Sequence, residues 1–197
     1  MSVQTIVAIT LLAMLAFWAV GAYNRLVRLK NIIAQAFGPI DVQLKHRYDL
    51  IPNLAEVAQK YLQHEPVTLE AVISARNQAR SASDAVRLRP DRAQAVMALA
   101  AAEQTLDSSL DRLFALADAH PDLKADPTLR ELSEALTSTE NKVGFARQAY
   151  NDAVLDYNNA QSQFPALVIA RMFGFAPSAM LQATQRSAER QAGARAA

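Results

Sequence analysis

The sequence predicts an all-α protein: an N-terminal transmembrane helix followed by an antiparallel bundle of long helices. Three observations carry that expectation. Of 197 residues, 51% are hydrophobic, but only 7% are aromatic and five are glycine. Such a composition suits helices better than a β-sandwich or barrel. No charged side chain precedes Arg25. Beyond it, apolar residues recur at alternating steps of three and four. The charge balance of 20 basic to 19 acidic residues speaks against a nucleic-acid partner, which would show a basic excess or face. The absence of cysteine excludes disulfides, thiolate metal sites and a cysteine nucleophile.

The first element, residues 1–24, is read as a membrane anchor. Val3 to Tyr23 (VQTIVAITLLAMLAFWAVGAY) forms a helix roughly 31 Å long, enough to cross a hydrocarbon core of about 30 Å. Trp18 and Tyr23 lie toward its far end, where amphipathic rings favour the membrane interface. A cleavable signal peptide would need a positive leading region, and only the α-amino group precedes the apolar run. Arg25, Arg28 and Lys30 follow the span at the interface, and no acid appears until Asp41. The positive-inside rule then predicts a single-pass protein of the inner membrane, N-terminus outside and bundle cytoplasmic.

Residues 25–165 are expected to form the bundle. Gly38-Pro39 ends or kinks the anchor helix, or Pro39 starts a second one. Ile40, Leu44, Ile51, Leu54, Ala58 and Tyr61 continue the pattern to about Arg80, with Pro52 and Pro66 as local kinks. Ser81 to Arg89 reads as a polar connector. A third helix begins at Pro90, with the seam Val96, Leu99, Glu103, Leu106, Leu110, Leu113 and Ala117, one member of which is polar. After a connector from His120 to Asp126, Asp126-Pro127 is a good helix start, with aspartate capping and proline in the first turn. The fourth helix holds Leu129, Leu132, Leu136, Thr139, Val143, Ala146, Tyr150, Ala153, Tyr157, Ala160 and Phe164 in register, which implies left-handed packing. Residues 166–197 form a tail with a short helix around Ser178 to Gln191. Two readings of it stay open: a cap over the bundle end, or an interfacial segment carrying Arg171, Arg186, Arg190 and Arg195.

The polar residues offer little catalytic chemistry. His46, His64 and His120 are far apart and belong to no ligand pattern, and paired Glu-x-x-His motifs for a di-iron bundle are absent. No phosphate loop or nucleophile elbow occurs. We therefore expect no enzyme, no cofactor and no metal. Asp41, Lys45 and Asp49 form an i, i+4, i+8 ion-pair stripe. Glu140 and Arg147 each follow a seam residue, where charges pair between helices, and Asp41, Lys45, Arg47 and Asp49 are candidate partners. Asp41, Arg47, Asp49, Glu140 and Arg147 are thus the candidate structural or partner-contact residues.

With these segments in place, the chain resembles the LemA family. The similarity lies in YNRLVRLKN (Tyr23 to Asn31), IDVQLKHRYDLIPNL (Ile40 to Leu54), His64-Glu65, Ala75-Arg76 and HPDLKAD. It continues through TENKVGFARQAYNDAVLDYNNAQSQFP (Thr139 to Pro165) and Gly174-Phe175. Phe37-Gly38-Pro39 stands where family members usually carry Trp-Ser before Ile-Asp. The resemblance implies a membrane-anchored antiparallel bundle with a cytoplasmic domain, and it implies no reaction.

The leading functional expectation is a non-enzymatic scaffold or adaptor in the lipid bilayer, binding other membrane or cytoplasmic proteins or a second copy of itself. The alternative is a membrane-tethered sensor with a small-molecule or metal site between helices.

Overall fold

The structure, a computed structural model, describes residues 3–182. Arg186, Arg190, Arg195 and most of the helix expected from Ser178 to Gln191 lie outside the described residues. Among those described there are six helices and no strand: α1 Val3–Tyr61, α2 Pro66–Leu88, α3 Ala93–Ala119, α4 Pro121–Ala125, α5 Pro127–Ser162 and α6 Ala166–Met172.

α1 joins two environments in one unbroken helix. At 1.5 Å per residue it is about 88 Å long. Its N-terminal part is exposed: Leu12 is 68% exposed and Phe17 80%. This stretch is long and apolar enough to cross a membrane. The first buried side chain is Leu26, and from there Ile33, Phe37, Ile40, Leu44, Tyr48, Ile51, Leu54 and Ala58 enter the core. Gly38-Pro39 neither ends the helix nor starts another. Two features make Pro39 tolerable inside it. Gly38 lacks the Cβ that would clash with the proline ring, and Pro39 itself faces solvent.

Two expectations need correction. Pro66 is not a kink within a long second segment; the chain breaks at Leu62 to Glu65 and Pro66 opens α2 in its first turn. Proline fits there because its missing N–H would have been unbonded anyway. Ser81 to Arg89 is not a connector, because α2 runs on to Leu88. Its buried stripe of Leu69, Val72, Ala75, Ala79, Ser83 and Val86 keeps the helical period. Ser83 is small enough to sit in that seam, which disguised it as polar linker. The connector from His120 to Asp126 contains the short α4.

α3 and α5 follow their expected seams. Every member of the α3 seam is buried, Glu103 included. Asp126 caps α5 by accepting from the Thr128 and Leu129 amides at 2.8 and 3.2 Å. Against some desolvation, these bonds and the Tyr61 hydroxyl hold its carboxyl below the usual range. At the end of the α5 seam Phe164 is exposed rather than packed, since the helix has already stopped at Ser162.

The helices run antiparallel. Lys30 of α1 pairs with Asp91 in the α2–α3 turn at 2.8 Å, which fixes the proximal end, nearest the bare apolar segment. The Tyr61 hydroxyl donates to Asp126 at 3.0 Å and fixes the distal end. α5 packs along α1, α1 along α2, and α2 along α3. The fourth side, between α3 and α5, is closed by other means. Residues 173–182 run back along α5, with Ser178 and Leu181 buried. Residues 178–182 are not helical, contrary to expectation. At the proximal end Tyr23 meets Phe173 and Phe175 edge-on, with ring centroids 5.0 and 5.5 Å apart.

An interior proline costs a helix about 3 kcal/mol through the lost hydrogen bond and the ring clash. Replacing exposed Pro39 by alanine restores an amide for the Gln35 carbonyl. We expect Pro39→Ala to stabilise the protein by about 1–3 kcal/mol, read from thermal melts in detergent. An unchanged melting point would show that α1 carries no such penalty.

Candidate functional site

The most unusual chemistry lies midway along the bundle, where charged groups are buried together. Arg47 projects from α1 into the interior with its side chain 6% exposed. Its Nη1 donates to Glu103 Oε2 of α3 at 2.7 Å, and Nη2 donates to Asp107 Oδ1 one turn further along α3. The neighbouring Tyr48 hydroxyl donates to Glu103 Oε1. Glu103 is thus held by two helical neighbours of α1 at once. Glu140 and Arg147 of α5, also buried, reach the same region and interact electrostatically with it.

Burial and pairing compete at each group. Desolvation alone would lower the Arg47 pKa, but Glu103 and Asp107 outweigh it and push the value up. Burial raises Glu103 despite the opposing Arg47 charge and the Tyr48 hydrogen bond. Burial likewise depresses Arg147, with Glu140 and Asp107 working against it. Tyr48 is raised by its own desolvation and by Glu103, so it serves as a hydrogen-bond donor and not as a phenolate. With two arginines against three carboxylates, the cluster holds one acid in excess. Asp107 Oδ2 has no hydrogen-bond partner among the described residues.

Two members of the cluster, Arg47 and Glu140, border a cavity between α3 and α5. This space, about 430 Å³, is lined by Leu110, Phe114 and Ala117 of α3 and by Leu129, Arg130 and Leu136 of α5, among others. Arg47 and Glu140 sit at its inner edge, and both also border the narrower space beside Leu181 and Gln182. The arrangement can orient a polar or charged ligand. It sets up no nucleophile with an adjacent base, and among the described residues no group of histidines and carboxylates is placed to hold a metal ion.

The sequence-derived candidates therefore separate. Arg47, Glu140 and Arg147 come together. Asp41 is buried but pairs with Lys45 at 2.6 Å, one turn along its own helix. Asp49 is solvent-facing, with Arg76 and Arg80 of α2 at 3.8 and 3.9 Å. Of the interface group, Trp18, Tyr23, Arg25 and Arg28 lie exposed where α1 leaves the bundle, while Lys30 turns to Asp91. Sequence reasoning missed Tyr48 and Asp107. The available signal was Glu103, a carboxylate in an otherwise apolar seam, with Asp107 one turn later.

A second feature was also missed. α5 carries Tyr-Asn twice, at Tyr150-Asn151 and Tyr157-Asn158, and both pairs bind the backbone of residues 176–182. Asn158 donates to the Ser178 carbonyl and accepts from its amide, each at 2.9 Å. Asn151 does the same with Leu181 at 3.0 and 2.9 Å. Tyr157 donates to the Ala176 carbonyl at 3.0 Å, and burial raises its hydroxyl to about 12. Tyr150 donates to the Pro90 carbonyl at 2.9 Å, with the Ala179 carbonyl 3.3 Å away. Arg147 donates to the Gln182 carbonyl at 2.8 Å and ties this strap to the charge cluster.

Removing Arg47 leaves two buried carboxylates facing each other, which typically costs about 3–5 kcal/mol. The folded-state pKa of Glu103 lies above its ordinary 4.5. Its stabilising contribution is therefore complete below that pH and declines as pH rises. We expect Arg47→Ala to destabilise strongly at pH 7 and less at pH 5, where protonation relieves the repulsion. Chemical denaturation at both pH values checks this, and a small, pH-independent loss would refute it.

Comparison with known proteins agrees with this architecture. Curated proteins give no match. The LemA family model matches residues 36–193, from within the bundle portion of α1 into the C-terminal tail. That match covers most of the chain, and the protein belongs to the LemA family.

Proposed function

We propose that this protein is a non-enzymatic scaffold of the inner membrane, a single-pass anchor presenting a helical bundle to partner proteins in the cytoplasm. The observation that carries this reading is the continuity of α1. One helix supplies both a bare apolar segment of membrane length and a core helix of the bundle. A rigid helix of this kind holds the bundle at a set distance and orientation from the bilayer, which a flexible linker would not do. The cations Arg25 and Arg28 follow the span and favour the cytoplasmic side. At the same level Phe164, Met172 and Phe173 are exposed, an apolar edge suited to the interface. Further out, Phe145 is 84% exposed beside Val42 and Pro39, an apolar strip between α1 and α5 that suits a protein partner.

The cavity between α3 and α5 supports a second reading, a membrane-tethered sensor. Its volume falls in the range of small-molecule sites, about 300–1,000 Å³, and Arg47 and Glu140 supply polar groups at one edge.

Purification of the full-length protein in mild detergent separates the two. The scaffold reading expects a reproducible partner protein that is lost on Phe145→Asp, while melting is unchanged. A copurifying small molecule with no protein would favour the sensor. Orientation has its own check: a C-terminal alkaline phosphatase fusion should be inactive and a fluorescent-protein fusion bright. The reverse pair of results would put the bundle outside and end the cytoplasmic reading.

A further inference from the structure

The two Tyr-Asn pairs are spaced to read an extended chain. Seven helical residues advance about 10.5 Å, and three extended residues advance about 10 Å. Asn151 and Asn158, seven apart on α5, therefore meet Leu181 and Ser178, three apart on the strap, through the same pair of main-chain bonds. Each asparagine offers one donor and one acceptor, as an adjacent β-strand would. Recognition thus falls on the backbone, which every peptide possesses. Selectivity comes from two buried side chains, Ser178, which donates to the Asp91 carbonyl at 2.8 Å, and Leu181.

From these features we propose that the groove between α3 and α5 is a docking site for an extended peptide segment of a partner protein, with residues 176–182 as its resident occupant. This deepens the scaffold reading, on which it rests, by naming the site and the partner chemistry. The preferred segment carries a small hydroxyl residue three positions before a large aliphatic one. Three observations favour an exchangeable occupant over a permanent part of the core. The strap leaves α6 through Gly174, whose φ of +68° marks a tight turn at its base. Its main-chain bonds can all be remade by another extended segment. Among the described residues, the groove continues past Gln182, by Arg47 and Glu140, into the cavity of about 430 Å³. An incoming segment that reaches this space makes contacts that residues 176–182 do not. It has to compete with a tethered rival, whose effective concentration is in the millimolar range for a short connection.

The test uses a fluorescein-labelled peptide copying residues 174–182 (Gly-Phe-Ala-Pro-Ser-Ala-Met-Leu-Gln) and full-length protein in lipid nanodiscs, read by anisotropy. Two variants loosen the resident strap. Leu181→Asp removes its apolar anchor. A protease site inserted between Gly174 and Phe175 lets the strap be cut after the protein has folded, which covers the case in which Leu181→Asp does not fold. We expect saturable binding to the cut protein, at least tenfold weaker but still saturable binding to the wild type, and loss of binding in cut protein carrying Asn151→Ala and Asn158→Ala. A peptide with aspartate in place of its leucine should not bind. Absence of saturable binding to the cut protein would overturn the proposal, and so would binding to the cut protein with none to the wild type, because the strap would then never yield. Peptide binding tests the groove itself, whereas copurification tests the scaffold reading, so either can fail alone.

Discussion

Arg47 is the group around which the bundle is arranged. A guanidinium on the inner face of α1 cannot remain buried without anions, because desolvating it unpaired costs several kcal/mol. Glu103 and Asp107 answer that demand from α3, and they do so one turn apart, which fixes both the rotation and the axial position of α3 relative to α1. Apolar seams alone would tolerate a slide by one heptad, since leucine and alanine recur along every helix. The ion pairs do not tolerate it. Tyr48 adds a second bond to Glu103, so the same register is specified twice. Such a cluster gives less stability than an apolar core of equal volume in many proteins; its value here is in selecting one arrangement.

That register has a consequence for the open side of the bundle. With α3 held toward α1 and α2, it does not close against α5, and the space between them is filled in part by residues 173–182 and in part by a cavity. The strap is bound through its main chain by side chains of α5, with Arg147 connecting its end to the charge cluster. The buried ions, the strap and the cavity are therefore one continuous feature running the length of the α3–α5 face. Arg47 and Glu140 border the cavity, and Arg147 joins the strap to the cluster.

The continuity of α1 links this face to the bare apolar N-terminal segment. Lys30 holds the α2–α3 turn, and Tyr23 stacks with Phe173 and Phe175 where the strap begins. The strap thus begins at the level where α1 leaves the bundle, and Gln182 lies beside the buried Arg147. A tilt of the apolar segment would act directly on the base of the strap, because α1 is one unbroken helix.

The sequence by itself determined the local physics. Helical period, the charge-free span, the Asp126-Pro127 cap, the seam of α3 and that of α5 as far as Ala160 are properties of neighbours within one or two turns, and they were read correctly from spacing. Where the local signal was ambiguous it misled: Ser83 made a helix look like a linker, and Pro66 could begin a helix or bend one. Glu103 in an apolar seam showed that a buried charge existed, yet not what met it. Its partner Arg47 lies 56 residues away in the chain, and Asp107 is 60 residues from that same arginine. Arg47 keeps the three-to-four step with Leu44 and Ile51 and so falls in the seam of α1, with Asp49 on the opposite face, but the spacing did not say which anions would meet Arg47. The recognition of residues 176–182 by Asn151 and Asn158 was hidden for a further reason. It uses the backbone, which is the same at every position and leaves no mark on the sequence of the segment bound. Only the tertiary structure, by bringing α5 and the strap to matching spacings, decided that those asparagines have a common purpose.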